Sequence, residues 1–220
     1  MAWGVLAVQP PAQGDGVQVD RTVGSRHRAP SLHLENSILR SRRSSVFGMT
    51  GPLEGIRVVE LGVWVAGPAA GGILADWGAD VVKIEPPTGD PGRLFGAMMG
   101  LDDGSSPPFD MDNRSKRSIV LDLTTDGGQA TARQLVAGAD VFITNVRPDA
   151  LRRLALDYPS VAELNPRLVY GLITGYGEKG PDANRPAYDI AAFWARSGVA
   201  DLLTRPGDTP PFQRGGMGTT

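Results

Sequence analysis

GPLEGIRVVELGVWVAGPAAGGILADWGADVVKIE, residues 51–85, sets a strand, a glycine-rich turn, a helix and a second strand in one short unit. Residues 56–61 (IRVVEL) form an apolar run rich in β-branched side chains, and Gly62 ends it. Residues 81–85 (VVKIE) form a second such run after a helix-length segment. Parallel strands need a crossover of this kind, so the stretch predicts a βαβ unit. In open α/β sheets a ligand sits beyond the carboxyl ends of the strands, which makes residues 62–68 the first place to look for a site.

Gly62, Gly67, Gly71 and Gly72 leave gaps of four, three and no residues, where the dinucleotide fingerprint wants one and two. This weakens a nicotinamide reading. Glu85 ends the second strand, where a ribose-binding acid would stand, and such acids are also common solvent-facing residues. Two roles remain open for the glycines: a ligand-binding turn, or a tight turn with close helix-to-sheet packing.

Alternation continues downstream. Residues 117–123 (RSIVLDL) predict a third strand, 125–139 a helix opened by Thr125 or Asp126, and 140–146 (DVFITNV) a fourth strand. Residues 149–156 and 160–164 predict short helices, 167–174 (RLVYGLIT) a fifth strand, and 189–196 part of another helix. Residues 176–185 (YGEKGPDANR) are dense in glycine, proline and polar side chains, as a loop over a site would be. No internal repeat is visible.

Composition agrees with an α/β domain: 41% hydrophobic, 21% charged, and a formal charge of −2 that gives no electrostatic reason to expect nucleic acid. The absence of cysteine excludes a disulfide framework, thiol catalysis and thiolate metal sites. No apolar run approaches the roughly 20 residues that span a bilayer, and AWGVLAV at the N-terminus lacks the flank and core of a signal peptide. Cytoplasm is the expected compartment, with no membrane partner.

Residues 1–49 read differently, as a disordered or non-native extension without helical or strand periodicity. They hold His27, His33, Arg40, Arg42 and Arg43, a set also readable as a targeting or nucleic-acid segment. Met49 stands two residues before Gly51, so upstream sequence translated from an early start would explain the extension.

Six blocks then occur in order: residues 52–62, 66–93, 113–123, 139–156, 164–181 and 188–198. They are PLEGIRVVELG, AGPAAGGILADWGADVVKIEPPTGDPGR, NRSKRSIVLDL, ADVFITNVRPDALRRLAL, LNPRLVYGLITGYGEKGP and YDIAAFWARSG. Together they closely resemble the class III CoA-transferases, of CaiB/BaiF type and formyl-CoA transferase-like, a family that also contains α-methylacyl-CoA racemases. The resemblance implies an α/β fold with a Rossmann-like parallel sheet and flanking helices, here an incomplete large domain over residues 50–220. It also implies interlocked homodimers for intact members, no permanently bound cofactor or metal, and coenzyme A or acyl-CoA as substrate beside a small carboxylic acid.

Coenzyme A presents an adenine, a 3′-phosphate and a diphosphate, so its site needs fixed cations near backbone turns and an apolar channel for the pantetheine. Arg147 and Arg153 suit the first need, set where guanidinium forks and free backbone N–H groups can meet phosphate oxygens. By the resemblance, Asn145, Val146, Arg147 and Arg153 lie along the coenzyme. Val65, Ala66, Pro86, Leu121 and Ile173 lie beside it, small or apolar as its walls require. Read alone, the arginines also suit surface pairing with carboxylates, and the apolar residues suit an ordinary core. The family often has glycine where this chain has Asp149, an acid expected to weaken phosphate binding locally.

At the catalytic positions the chain departs from its relatives. The racemase branch has a histidine where this chain has Tyr188, and a phenol of reference pKa about 10 is a poor proton shuttle near neutrality. Asp189 follows, and an aspartate at a helix start commonly serves as an N-cap. The transferase branch uses an aspartate directly after the GGMG turn, to be acylated and then converted to an aspartyl-CoA thioester. Here Gly215, Gly216 and Gly218 match that turn, but Thr219 takes the aspartate's place. No catalytic residue is therefore assigned. Family members also continue into a smaller domain, absent here, so a truncated transferase, inactive as the chain stands, is expected. The alternative is a non-catalytic module that binds coenzyme A or another nucleotide.

Overall fold

The computed structural model describes residues 51–211 together with the backbone of residues 5–8 and 19–20. The strands are β1 (Val5–Val8), β2 (Val19–Asp20), β3 (Arg57–Leu61), β4 (Asp80–Glu85), β5 (Arg117–Val120), β6 (Val141–Thr144) and β7 (Leu168–Leu172). The helices are α1 (Ala66–Asp76), α2 (Phe95–Met98), α3 (Pro107–Asn113), α4 (Asp126–Ala137), α5 (Pro148–Arg153), α6 (Tyr158–Leu164) and α7 (Val199–Leu202). A 3₁₀ turn spans Pro91–Leu94, and a π-helical segment, Ile190–Ala195, replaces the α-helix expected there.

The seven strands among the described residues form one sheet in the order β1-β7-β6-β3-β4-β5-β2. Its five central strands are parallel, and counted along the chain they run 3-2-1-4-5, the Rossmann order. The Rossmann-like parallel sheet expected from the sequence is therefore present. β1 and β2 come from the segment expected to lie outside the fold, and they pair antiparallel with β7 and β5 on the two edges. The remainder of residues 1–50, with both histidines and Arg40, Arg42 and Arg43, lies outside the described residues.

Side chains alternate across the sheet with period two. Val59, Leu61, Val82, Ile84, Ile119 and Phe142 face the layer of α4, α5 and α6, joining Ala132, Val136, Leu151 and Val161 in the larger apolar cluster. Val58, Val81 and Ile143 face α1 through Ala75, in a smaller one. That second face is short of apolar side chains because Glu60, Lys83 and Glu85 share it, at 0%, 0% and 2% exposure.

Local chemistry explains the boundaries. Thr125 caps α4, its Oγ1 accepting from Gly128 N at 3.1 Å. Pro148 opens α5 without needing a backbone donor. Asn165 closes the loops before β6 and β7, its Nδ2 donating to Ala137 O at 3.2 Å and Ala139 O at 2.8 Å. Tyr170 is buried among Phe142 and Tyr158, and its hydroxyl donates to Leu156 O at 3.0 Å.

Candidate functional site

In a 3-2-1-4-5 sheet the chain reverses direction between the first and fourth parallel strands, here β3 and β6, and a crevice opens beyond their carboxyl ends. Asn145 bridges that point: its Oδ1 accepts from Val63 N at 2.9 Å and its Nδ2 donates to Val63 O at 2.8 Å. Thr144 adds a hydroxyl bond to Leu61 O at 2.7 Å. The glycines fit this junction. A Cβ on Gly67 would stand 3.2 Å from the Asn145 amide, and one on Gly62 3.3 Å from Gly67 Cα. Gly62 and Gly67 thus serve the close packing of strand and helix.

Eight of the nine site residues inferred from sequence converge on this carboxyl edge. Val65 and Ala66 open α1, whose N-terminus no side chain caps. Pro86 follows β4 and is exposed; Leu121 follows β5, its backbone N–H donating to Glu85 O at 2.9 Å while its side chain packs in the larger apolar cluster. Asn145, Val146 and Arg147 follow β6, and Ile173 follows β7 with its N–H on Thr144 O at 2.9 Å. Arg153 stands apart, exposed at the far end of α5.

One expectation is corrected. The backbone N–H groups at the start of α5 are not open to a phosphate, because the Asn184 side chain and the Arg147 carbonyl accept them. Asn184 Oδ1 accepts from Asp149 N at 2.9 Å, Ala150 and Leu151 donate to Arg147 O, and Pro148 has no N–H. Arg147 itself donates to Asn184 O at 3.4 Å, and Arg152 pairs with Asp149, which offsets the acid expected to weaken phosphate binding. Helix α1, not α5, therefore presents an uncapped N-terminus to the edge.

Beneath the edge lies an ion network that sequence reasoning missed. Lys83 donates to Glu60 Oε1 at 3.0 Å and to Gly62 O at 2.8 Å, and its ammonium stands 2.7 Å from Asp90 Oδ2. Lys116 likewise reaches Glu60 Oε2 at 2.7 Å, Pro68 O at 2.7 Å and Asn113 Oδ1 at 2.9 Å. The contacts to Glu60 Oε2 and Asp90 Oδ2 are ion pairs lacking hydrogen-bond angles, so charge attraction holds those oxygens. Burial opposes the Lys83 charge, yet Glu60 and Asp90 prevail and hold its pKa above the ordinary lysine value. At Lys116 burial wins and the pKa falls.

Glu85 receives two bonds from Arg93 at 2.8 Å each, one from Ser118 Oγ at 2.7 Å and one from Asp90 N at 3.1 Å. Burial raises its pKa, but the bonds from Arg93 and Ser118 overcome this and lower it to about 2. An anion committed to Arg93 and Ser118 in this way is a structural acid, which removes the ribose role weighed for it. The signal that could have revealed the network is a charged residue inside each buried apolar strand, with Glu60 and Lys83 as register partners.

Above the edge, Trp64 adopts φ +64° with its N–H on Asp90 Oδ1 at 3.1 Å. Its ring meets Phe95 at 5.4 Å and Tyr188 at 6.3 Å between centroids. Tyr188 is exposed, and Asp189 occupies the N-cap position of the π-helical segment without a side-chain cap bond. Gly215, Gly216, Gly218 and Thr219 lie outside the described residues. Among the described residues no cluster of acidic side chains suits a metal ion, and no helix is long and apolar enough to cross a membrane.

Comparison with known proteins agrees with this architecture. Residues 53–219 match the model of CoA-transferase family III. The chain is 42% identical over 171 residues to cinnamoyl-CoA:phenyllactate CoA-transferase of Clostridium sporogenes, covering 77% of this chain and 42% of that one. It is 45% identical over 169 residues to succinate–glutarate CoA-transferase of Agrobacterium fabrum, covering 74% and 42%. A solved CAIB/BAIF family protein from Brucella suis superposes with a TM-score of 0.66 at 41% identity, over 75% of this chain and 44% of that one. The chain thus spans about two fifths of the length of the curated relatives it matches. With the six sequence blocks, the Rossmann strand order and the family match in agreement, this chain belongs to CoA-transferase family III.

Proposed function

We propose that this chain carries the coenzyme A-binding half of an acyl-CoA:carboxylate CoA-transferase. The observation that supports it is that Val65, Ala66, Pro86, Leu121, Asn145, Val146, Arg147 and Ile173 all lie along the carboxyl edge of the five parallel strands, with the β3/β6 reversal at its centre. The uncapped start of α1 and the exposed Arg147 supply dipole and charge for phosphate oxygens, and Val65, Ala66 and the exposed Pro86 supply walls, while Leu121 contributes its backbone position with its side chain in the core. Arg153 reaches the same ligand only if the coenzyme extends along α5.

In a full-length transferase of this kind, a carboxylate attacks the acyl-CoA thioester and expels the CoA thiolate, leaving a mixed anhydride. The thiolate then attacks the enzyme carbonyl, releases the acyl carboxylate, and the enzyme-bound CoA thioester is passed to the acceptor acid. A threonine cannot do this: its ester with an acyl group is no anhydride, so return of the thiolate does not load CoA onto the protein. With Thr219 after Gly218, and Tyr188 before Asp189, this chain would bind coenzyme A without turnover. The same two residues favour the second reading, a non-catalytic module for coenzyme A or another nucleotide.

Calorimetric titration with coenzyme A and, separately, NADH tests both readings. Arg147→Ala is expected to weaken coenzyme A binding about tenfold, the scale of one charge-assisted hydrogen bond. Arg153→Ala is expected to weaken it less. NADH binding with no response to coenzyme A would overturn the family site.

A further inference from the structure

The turn from β3 into α1 is held from below by a residue of a different loop. Asp90 sends its two oxygens in two directions. Oδ1 accepts from Trp64 N at 3.1 Å and from Gly92 N at 2.7 Å, while Oδ2 lies 2.7 Å from Lys83 Nζ. Lys83 in turn donates to Gly62 O at 2.8 Å. One ion pair thereby grips both sides of Val63, at the carbonyl of Gly62 and the amide of Trp64.

That grip matters because Trp64 stands in the left-handed region, φ +64°, which a large side chain rarely adopts and which costs on the order of 1–3 kcal/mol unless the surroundings impose it. The residues gained by this bend are Val65 and Ala66, the first two at the ligand edge. The side chains of both Lys83 and Asp90 are wholly buried, so water cannot replace either partner. The pair also explains a charged residue in the middle of a buried parallel strand, where an apolar one would pack at no desolvation cost.

We propose that Lys83 and Asp90 are positioning residues whose ion pair holds the Gly62–Trp64 turn in the bent conformation that presents Val65 and Ala66 to the ligand. Neither side chain touches the ligand itself. The proposal rests on the coenzyme A reading for the identity of that ligand, but the state of the turn can be measured without any.

The test uses the full 220-residue chain with Asp90→Asn, Lys83→Met and, as a control, Val136→Ala in the apolar cluster on the opposite sheet face. Two readouts are taken on folded protein: amide hydrogen exchange at Trp64, Gly92 and Val59, and the dissociation constant for coenzyme A. Asp90→Asn keeps shape and removes charge, so it serves if Lys83→Met does not fold. The expected result is at least tenfold faster exchange at Trp64 and Gly92 relative to Val59, with at least tenfold weaker coenzyme A binding. Val136→Ala lowers global stability and leaves both ratios within twofold. Equal acceleration at Trp64 and Val59 overturns the clamp, as does unchanged affinity in Asp90→Asn. If the wild type does not bind coenzyme A, the ligand reading fails, and the exchange ratio alone upholds or overturns the clamp.

Discussion

Gly71 shows how a single missing side chain can admit a charge into a core. A Cβ there would stand 2.1 Å from Glu60 Oε2 and 3.2 Å from Lys116 Cε, so the glycine of α1 leaves the space that the Glu60 carboxylate occupies. Gly71→Ala is expected to lose about 3 kcal/mol in urea unfolding, because neither the ion pair nor the helix backbone can retreat without breaking buried contacts. A loss below about 1 kcal/mol would mean that the network is soft. Glu85 makes a prediction in pH. Its ordinary value is 4.5 and its folded value about 2, so the stability it contributes is fully present above pH 4.5 and is lost as pH falls toward 2. The wild-type urea midpoint should drop across that window more steeply than that of Glu85→Gln, which has no proton to take up there. Parallel pH profiles for the two proteins would contradict the assignment. The acid was visible in the sequence; its partners Arg93 and Ser118 were not, since they lie 8 and 33 residues away.

Helix α4 places two adjacent glycines in opposite surroundings. At Gly127 an added Cβ meets nothing within 4 Å, whereas at Gly128 it would stand 2.0 Å from Asp122 O, the carbonyl that also receives the Thr125 hydroxyl. Gly127→Ala should therefore stabilise the chain by about 0.5–1 kcal/mol through lower unfolded-state entropy. Gly128→Ala should destabilise it by about 1–3 kcal/mol by forcing the cap apart. Thermal unfolding of the two variants, shifted in opposite directions, is the check. This helix was legible from sequence because its signals are local: Thr125 as the cap, then an apolar stripe through Ala132 and Val136. Helices α2 and α7, of four residues each, carry too little periodicity to register in the sequence, and α3 opens on the pair Pro107 and Pro108, which signals a turn as readily as a helix start. The segment at Ile190–Ala195 was read as helical, but its π-type bonding depends on what surrounds it.

Across the whole molecule, the layer containing α1, α2 and α3 leaves large apolar side chains in water. Trp77, Met98, Met99 and Met111 are 53%, 70%, 64% and 62% exposed. Soluble monomers seldom leave so many large apolar groups open on one set of packed helices, and such surface promotes association. The chain is expected to bind a hydrophobic dye and to sediment above monomer size at raised concentration. Met98→Lys with Met111→Lys should reduce both while leaving the urea midpoint nearly unchanged, because neither side chain is part of the core. Unaltered sedimentation would remove this surface as the cause. The sequence by itself determined the α/β alternation, the five parallel strands, the family and the loops that hold the ligand edge, because each is written in runs and turns a few residues long. The tertiary structure alone decided that Asn145 ties β6 to Val63, that Asn184 occupies the start of α5, and that Lys83 joins Glu60 to Asp90. These contacts join residues 82, 35 and 23 positions apart. Their partners are chosen by strand order and register, and no local pattern encodes either.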